Sequence, residues 1–64
     1  MPILRVEMLE GRTEAQKQEL AAALSRETAR ITGCSLGAIT VIIEDVKREN
    51  WAIGGRLLSQ PDPG

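Results

Sequence analysis

The stretch at residues 9–20, LEGRTEAQKQEL, contains the boundary between a strand and a long helix. Thr13 stands three residues before Gln16, which is the capping-box pattern of a helix start. Apolar side chains then recur at the helical period, and Gly33 follows as a typical C-terminal stop. These signals predict a helix over about Glu14–Thr32.

Segments typical of strands lie on both sides of this helix. Residues 3–9 alternate, with Leu4, Val6 and Met8 on one face, and residues 39–46 contain the β-branched run ITVII. A strand, a long helix and a second strand in this order favour a right-handed crossover in which the two strands are parallel.

This order of strand, helix and strand predicts an α+β fold made of one β-α-β unit. Residues 51–55, WAIGG, end in two glycines and indicate a short C-terminal hairpin. We expect a single domain over residues 1–64, of which about 59–64 form a loose tail. The helix stripe that faces the sheet is expected to contain Leu20, Ala23, Leu24, Thr28 and Ile31.

A chain of 64 residues has a marginal core of its own. Such a chain buries only about 60% of the surface that its unfolded form exposes, and small scaffolds add disulfides, a metal or oligomerisation. Cys34 is the only cysteine, so no intrachain disulfide is possible. There is no histidine, which excludes Ser-His-Asp triads and histidine-based zinc sites. We therefore predict oligomerisation.

Charge and hydropathy exclude two further classes of protein. The net charge is −1 and there is no basic stripe, so nucleic-acid binding is not expected. No apolar run approaches the roughly 20 residues of a membrane span, and no secretory signal is visible. A cytoplasmic protein is the expectation.

Several short motifs, in this order and spacing, resemble those of the 4-oxalocrotonate tautomerase family over about residues 2–58. The motifs are Met1-Pro2-Ile3, Leu9-Glu10-Gly11-Arg12-Thr13, Gln16-Lys17, Val41-Ile42-Ile43 and Ile53-Gly54-Gly55. The resemblance implies a tautomerase-like β-α-β subunit completed by oligomerisation, commonly as a homohexamer built from three dimers. It also implies an enzyme that interconverts the keto and enol forms of a small 2-oxo acid, such as 2-hydroxymuconate or phenylenolpyruvate, without a metal or organic cofactor.

The resemblance implies roles for individual residues. Pro2, exposed by removal of Met1, is expected to be the general base and acid. Arg12 is expected to bind a substrate carboxylate bidentately. Trp51 and Ile53, together with Ile3, are expected to form apolar walls. Apolar burial and a nearby cation both lower the pKa of an amine, which makes it a free base at neutral pH.

Thr40 occupies the position at which well-studied family members carry a second arginine. A hydroxyl donates one hydrogen bond and supplies no charge, and charge-assisted bonds are about twice as strong as neutral ones. We expect weaker activity on dicarboxylate enols or a substrate with one carboxylate. Two alternatives stay open: a non-catalytic oligomeric scaffold or small-ligand binder of the same fold, and one subunit of a mixed hexamer.

Overall fold

The chain folds as a β-α-β unit followed by a small hairpin, as the sequence predicts. The computed structural model describes residues 2–61. Met1 and residues 62–64, which belong to the predicted tail, lie outside the described residues. The elements, in order, are β1 (Ile3–Leu9), α1 (Glu14–Thr32), β2 (Thr40–Val46), β3 (Ala52–Ile53) and β4 (Arg56–Leu57).

Strands β1 and β2 are parallel, and their register decides which side chains share a face. The pairing runs from Ile3 opposite Thr40 to Leu9 opposite Val46. Strand β2 begins one residue later than predicted, because the Ile39 N–H donates to the Leu36 carbonyl at 3.2 Å within a 3-10 turn.

The bounds of α1 are those predicted, because both caps are local. Thr13 Oγ1 accepts a hydrogen bond from the Gln16 N–H at 3.1 Å, and Gln16 Oε1 accepts one from the Thr13 N–H at 2.9 Å. At the other end Gly33 takes a left-handed conformation with φ 78°, and its N–H donates to the Ala29 carbonyl at 2.9 Å.

Helix α1 lies over the face of the sheet that carries Leu4, Val6 and Met8. An ion pair between Lys17 and Asp45 joins the helix to β2 on this face. The predicted helix stripe is correct for Leu20, Leu24 and Thr28, which are half-buried, and wrong for Ala23 and Ile31, which are exposed. A sheet of two strands covers only a narrow strip of a helix, so the edges of the predicted stripe stay uncovered.

Residues 2–61 form no closed hydrophobic core of their own. None of the residues described, 2–61, is fully buried. The radius of gyration is 15.6 Å, whereas a compact chain of this length has about 11 Å. Four large apolar side chains are more than half exposed: Ile3 (52%), Ile31 (68%), Leu36 (55%) and Ile53 (67%).

The two predicted glycines form the turn of the C-terminal hairpin. Gly54 and Gly55 have φ of 62° and 84°, the positive values that a type I′ turn requires at both central positions. Strands β3 and β4 pair antiparallel on either side of them. The Leu58 N–H extends the hairpin by donating to the Trp51 carbonyl at 2.8 Å.

Candidate functional site

Pro2 lies at the start of β1 and is tied to the neighbouring strand. Its carbonyl accepts a hydrogen bond from the Thr40 N–H at 3.1 Å, and its side chain is half-buried. The pyrrolidine ring fixes φ, so the hydrogen bond and the ring together hold the residue in one orientation. Pro2 and Thr40, which were both predicted as site residues, are therefore brought together.

Thr40 lies on the face of the sheet that α1 leaves uncovered. Residues opposite each other in a parallel register project to the same side of the sheet, so Thr40 shares this face with Ile3. Arg5, Ile42 and Glu44 follow on the same face along the two strands. This surface, defined by Ile3, Arg5, Glu7, Thr40, Ile42 and Glu44, is called the open face below.

Arg12 lies at the other end of the sheet, in the loop between β1 and α1. It follows Gly11, whose φ of 123° lets the chain turn out of the strand, and its side chain is exposed. Among residues 2–61, Arg12 makes no ion pair or side-chain hydrogen bond, whereas Arg5 and Arg30 each have a carboxylate partner. The Arg12 guanidinium is available to an external anion.

Trp51 lines a surface cleft of about 250 Å³ at the C-terminal ends of the strands. Its indole is half-buried, and Ile53 stands just beyond the cleft in the exposed hairpin. Two polar residues that the sequence did not single out, Glu7 and Asn50, share the cleft with Trp51. The register pairs Glu7 with Glu44 and Leu9 with Val46, so Glu7 and Val46 project from the same face into the cleft. No sequence pattern marks this register.

The predicted site residues thus form two groups at opposite ends of one sheet. Pro2 and Thr40 are at the beginning of the strands, and Arg12 and Trp51 are beyond their ends. Seven strand steps of about 3.3 Å place Pro2 about 23 Å from Leu9, which precedes Arg12. A single chain therefore does not place Arg12 and Pro2 on the same small molecule.

A metal-binding cluster and a membrane-spanning helix are both absent from residues 2–61. Within residues 2–61 no group of three or more cysteine, aspartate or glutamate side chains is placed to hold a metal ion. No helix in this range has the length and apolar character needed to cross a bilayer.

Comparison with known proteins gives the family. The model of a family described as "Tautomerase enzyme" matches residues 2–60. The chain belongs to this tautomerase family. The resemblance and the fold class stated from the sequence are both confirmed.

Relatives of this chain include two bacterial proteins. A probable tautomerase of Bacillus cereus is 42% identical over 59 residues, which cover 92% of this chain and 97% of the relative. The 2-hydroxymuconate tautomerase of Pseudomonas putida is 40% identical over 55 residues, covering 86% of this chain and 87% of that enzyme.

Solved structures of the family agree with the fold over nearly the whole of this chain. A 4-oxalocrotonate tautomerase homologue superposes with a TM-score of 0.90 at 37% identity, covering 97% of this chain and 98% of its own. A heterohexamer 4-oxalocrotonate tautomerase from Chloroflexus aurantiacus gives a TM-score of 0.86 at 40% identity, covering 94% and 97%.

Proposed function

We propose that this chain is a cofactor-independent keto–enol tautomerase that acts on a small 2-oxo acid or its enol. The observation that carries the proposal is the placement of Pro2. Its ring is half-buried and its carbonyl is bonded to Thr40, so the nitrogen has a defined position at the edge of the sheet. Membership of a family that includes 2-hydroxymuconate tautomerases supports the reaction class.

The proposed chemistry needs only the N-terminal amine. Once Met1 is removed, the Pro2 nitrogen is a secondary amine with a free lone pair. This nitrogen accepts the proton of the enol O–H, and the resulting ammonium returns a proton to the carbon of the C=C bond. The C=C–OH unit becomes CH–C=O with no net change in atoms or electrons. General acid–base catalysis of this kind contributes about 10²–10⁴-fold to the rate.

We propose that Arg12 of a second copy anchors the carboxylate of the substrate. Leu9, three residues before Arg12, lies about 23 Å from Pro2 in the same chain, which argues against the chain's own Arg12 in this role. An arginine binds a carboxylate through two parallel N–H···O bonds, which fixes orientation as well as charge. Trp51 and Ile53 of an adjoining copy supply apolar walls that desolvate the Pro2 amine.

The same separation, and the lack of a closed core within residues 2–61, support assembly. A homo-oligomer, and a hexamer made of three dimers in particular, would bury the apolar side chains that are exposed in the single chain. It would also bring the Pro2 end of one copy to the Arg12 end of another. We propose that only the assembled form is active.

A second candidate has one specific observation in its favour. The similar Chloroflexus aurantiacus tautomerase is a heterohexamer, and Thr40 supplies no charge beside Pro2. In a mixed hexamer a second kind of subunit would supply the charge that Thr40 lacks, and a scaffold that binds ligands without turnover would not need it. A purified chain that forms no stable hexamer and has no activity until a second subunit is added would support the mixed assembly.

Substitution of Pro2→Ala tests the proposal against a matched control. The variant keeps a terminal amine but loses the secondary nitrogen and the ring that orients it. We expect turnover of phenylenolpyruvate and 2-hydroxymuconate to fall about a hundredfold. Pro61→Ala makes the same substitution at an amide nitrogen outside the sheet, and we expect it to leave turnover unchanged. Equal activity of the Pro2→Ala variant and the wild type would contradict the mechanism and favour the scaffold.

A further inference from the structure

The open face carries one cation, and that cation is already neutralised. Among the residues of β1 and β2 that share this face, Arg5 alone is basic. Its guanidinium lies 3.8 Å from the carboxylate of Glu44 on the neighbouring strand. Arg5 stands three residues from Pro2, about 10 Å along the strand, a span that a long arginine side chain covers in large part.

The residues between Arg5 and Pro2 on this face are uncharged. Ile3 is 52% exposed and lies opposite Thr40, while Ile42 lies opposite Arg5. A carboxylate placed here would exchange water for apolar neighbours, with at most one hydroxyl as a donor. Burying an ionised carboxylate without a charged partner is costly.

We propose that the Arg5–Glu44 ion pair and Thr40 together make this tautomerase selective for enols with one carboxylate and an apolar remainder. The inference rests on the proposed function and names the substrate class of that site. The single carboxylate is held by Arg12 of a second copy, and the apolar part lies against Ile3. Glu44 contributes by pairing with Arg5, the cation that would otherwise attract a second carboxylate.

The ion pair determines selectivity because its two members have opposite effects on the binding of a second carboxylate. Arg5 alone would offer a charge-assisted donor to a dicarboxylate, and Glu44 alone would repel one. Paired, their charges cancel, and the carboxylate of Glu7, opposite Glu44 on the same face, remains as a negative charge. Glu44 is therefore a positioning residue that acts through Arg5, and its effect is expected in the ratio between two substrates rather than in overall activity.

The test compares kcat/KM for phenylenolpyruvate with that for 2-hydroxymuconate, a dicarboxylate. We expect the wild type to favour the monocarboxylate about tenfold or more, the effect of one missing charge-assisted bond. Glu44→Gln frees Arg5, and we expect it to shift the ratio towards the dicarboxylate roughly two- to fivefold, the range of an exposed ion pair. Thr40→Arg should shift the ratio about tenfold or more in the same direction, and Thr40→Gln should not.

Glu27→Gln is the matched control. Glu27 pairs with Arg30 on α1, and its side chain is 58% exposed, as is that of Glu44. This variant frees an arginine away from the open face, so the substrate ratio stays at the wild-type value. A wild type that prefers 2-hydroxymuconate, or a Glu44→Gln variant with an unchanged ratio, overturns the proposal.

A binding measurement separates this inference from the proposed catalysis. Calorimetry with 3-phenylpropanoate and adipate, which have no enol to convert, compares one carboxylate with two. The selector is supported if the wild type binds 3-phenylpropanoate more tightly than adipate and this difference in affinity becomes smaller or reverses in Glu44→Gln. This result would hold even if turnover is absent and the proposed function has failed. Equal or tighter binding of adipate to the wild type overturns the selector, even if turnover is present.

Discussion

Replacing Arg12 by alanine separates its proposed role in binding from any role in stability. The side chain is exposed and makes no ion pair or hydrogen bond within residues 2–61. Surface substitutions away from such interactions change the free energy of unfolding by about 0.5 kcal/mol or less. The unfolding midpoint of Arg12→Ala is therefore expected to equal that of the wild type.

The same substitution removes the only cation proposed to hold the substrate carboxylate. Hydrogen bonds to charged groups contribute about 1.5–3 kcal/mol, which corresponds to a loss of roughly ten- to 150-fold in kcat/KM. Because the carboxylate is bound both before and during proton transfer, most of this loss is expected as an increase in KM.

Steady-state kinetics with phenylenolpyruvate, together with denaturant unfolding, measures both quantities. Arg12→Lys keeps the charge without the bidentate geometry, so its kcat/KM should fall between those of the wild type and Arg12→Ala. Arg26→Ala removes another exposed arginine, on α1, and should change neither quantity. An Arg12→Ala variant with wild-type KM, or one that is strongly destabilised, would refute the assignment of Arg12 as the anchor.

The remaining predictions concern stability and assembly. Thr13→Ala removes the capping box of α1 and should lower the free energy of unfolding by about 1 kcal/mol at fixed protein concentration, measured by urea denaturation; an unchanged midpoint would contradict the cap. Ile31→Glu charges a side chain that is 68% exposed in the single chain, and should dissociate the assembly in sedimentation experiments while Ser59→Glu does not; an intact oligomer would place Ile31 outside the interface. The Arg30 side chain lowers the pKa of Glu27 from its ordinary value of 4.5 by hydrogen bonding. Because the folded-state pKa is lowered, this pair stabilises the fold above about pH 4.5, and the contribution is lost on further acidification. Glu27→Gln should therefore make the free energy of unfolding fall less steeply below that pH. An unchanged pH dependence would contradict the pairing.

The elements of the fold were predictable because their signals are local. Thr13 with Gln16, and Gly33 at the other end, determine the helix bounds through contacts within a few residues. The twin glycines likewise determine the hairpin turn through their own backbone conformations. The start of β2 was missed by one residue, since a 3-10 turn takes the Ile39 N–H and no sequence pattern marks that hydrogen bond.

The arrangement of the site was less predictable because it depends on more than one chain. The family resemblance pointed to Pro2 and Arg12 separately, but only the parallel register shows that they lie at opposite ends of the sheet. The pairing of Arg5 with Glu44 was also hidden, since the two are far apart in sequence and meet only across the strands. Exposed Ile31 shows the same limit, because nothing within residues 2–61 covers it.

The central claim is that the amine of Pro2 is the catalytic base, and nitrogen NMR of proline-labelled protein tests it most directly. A free secondary amine titrates, whereas the amide nitrogens of Pro61 and Pro63 do not and serve as internal references. We predict one titrating proline nitrogen whose pKa coincides with the pKa that governs kcat/KM on phenylenolpyruvate. Three proline signals that do not move with pH in an active sample would show that Pro2 is an amide, and would contradict the mechanism.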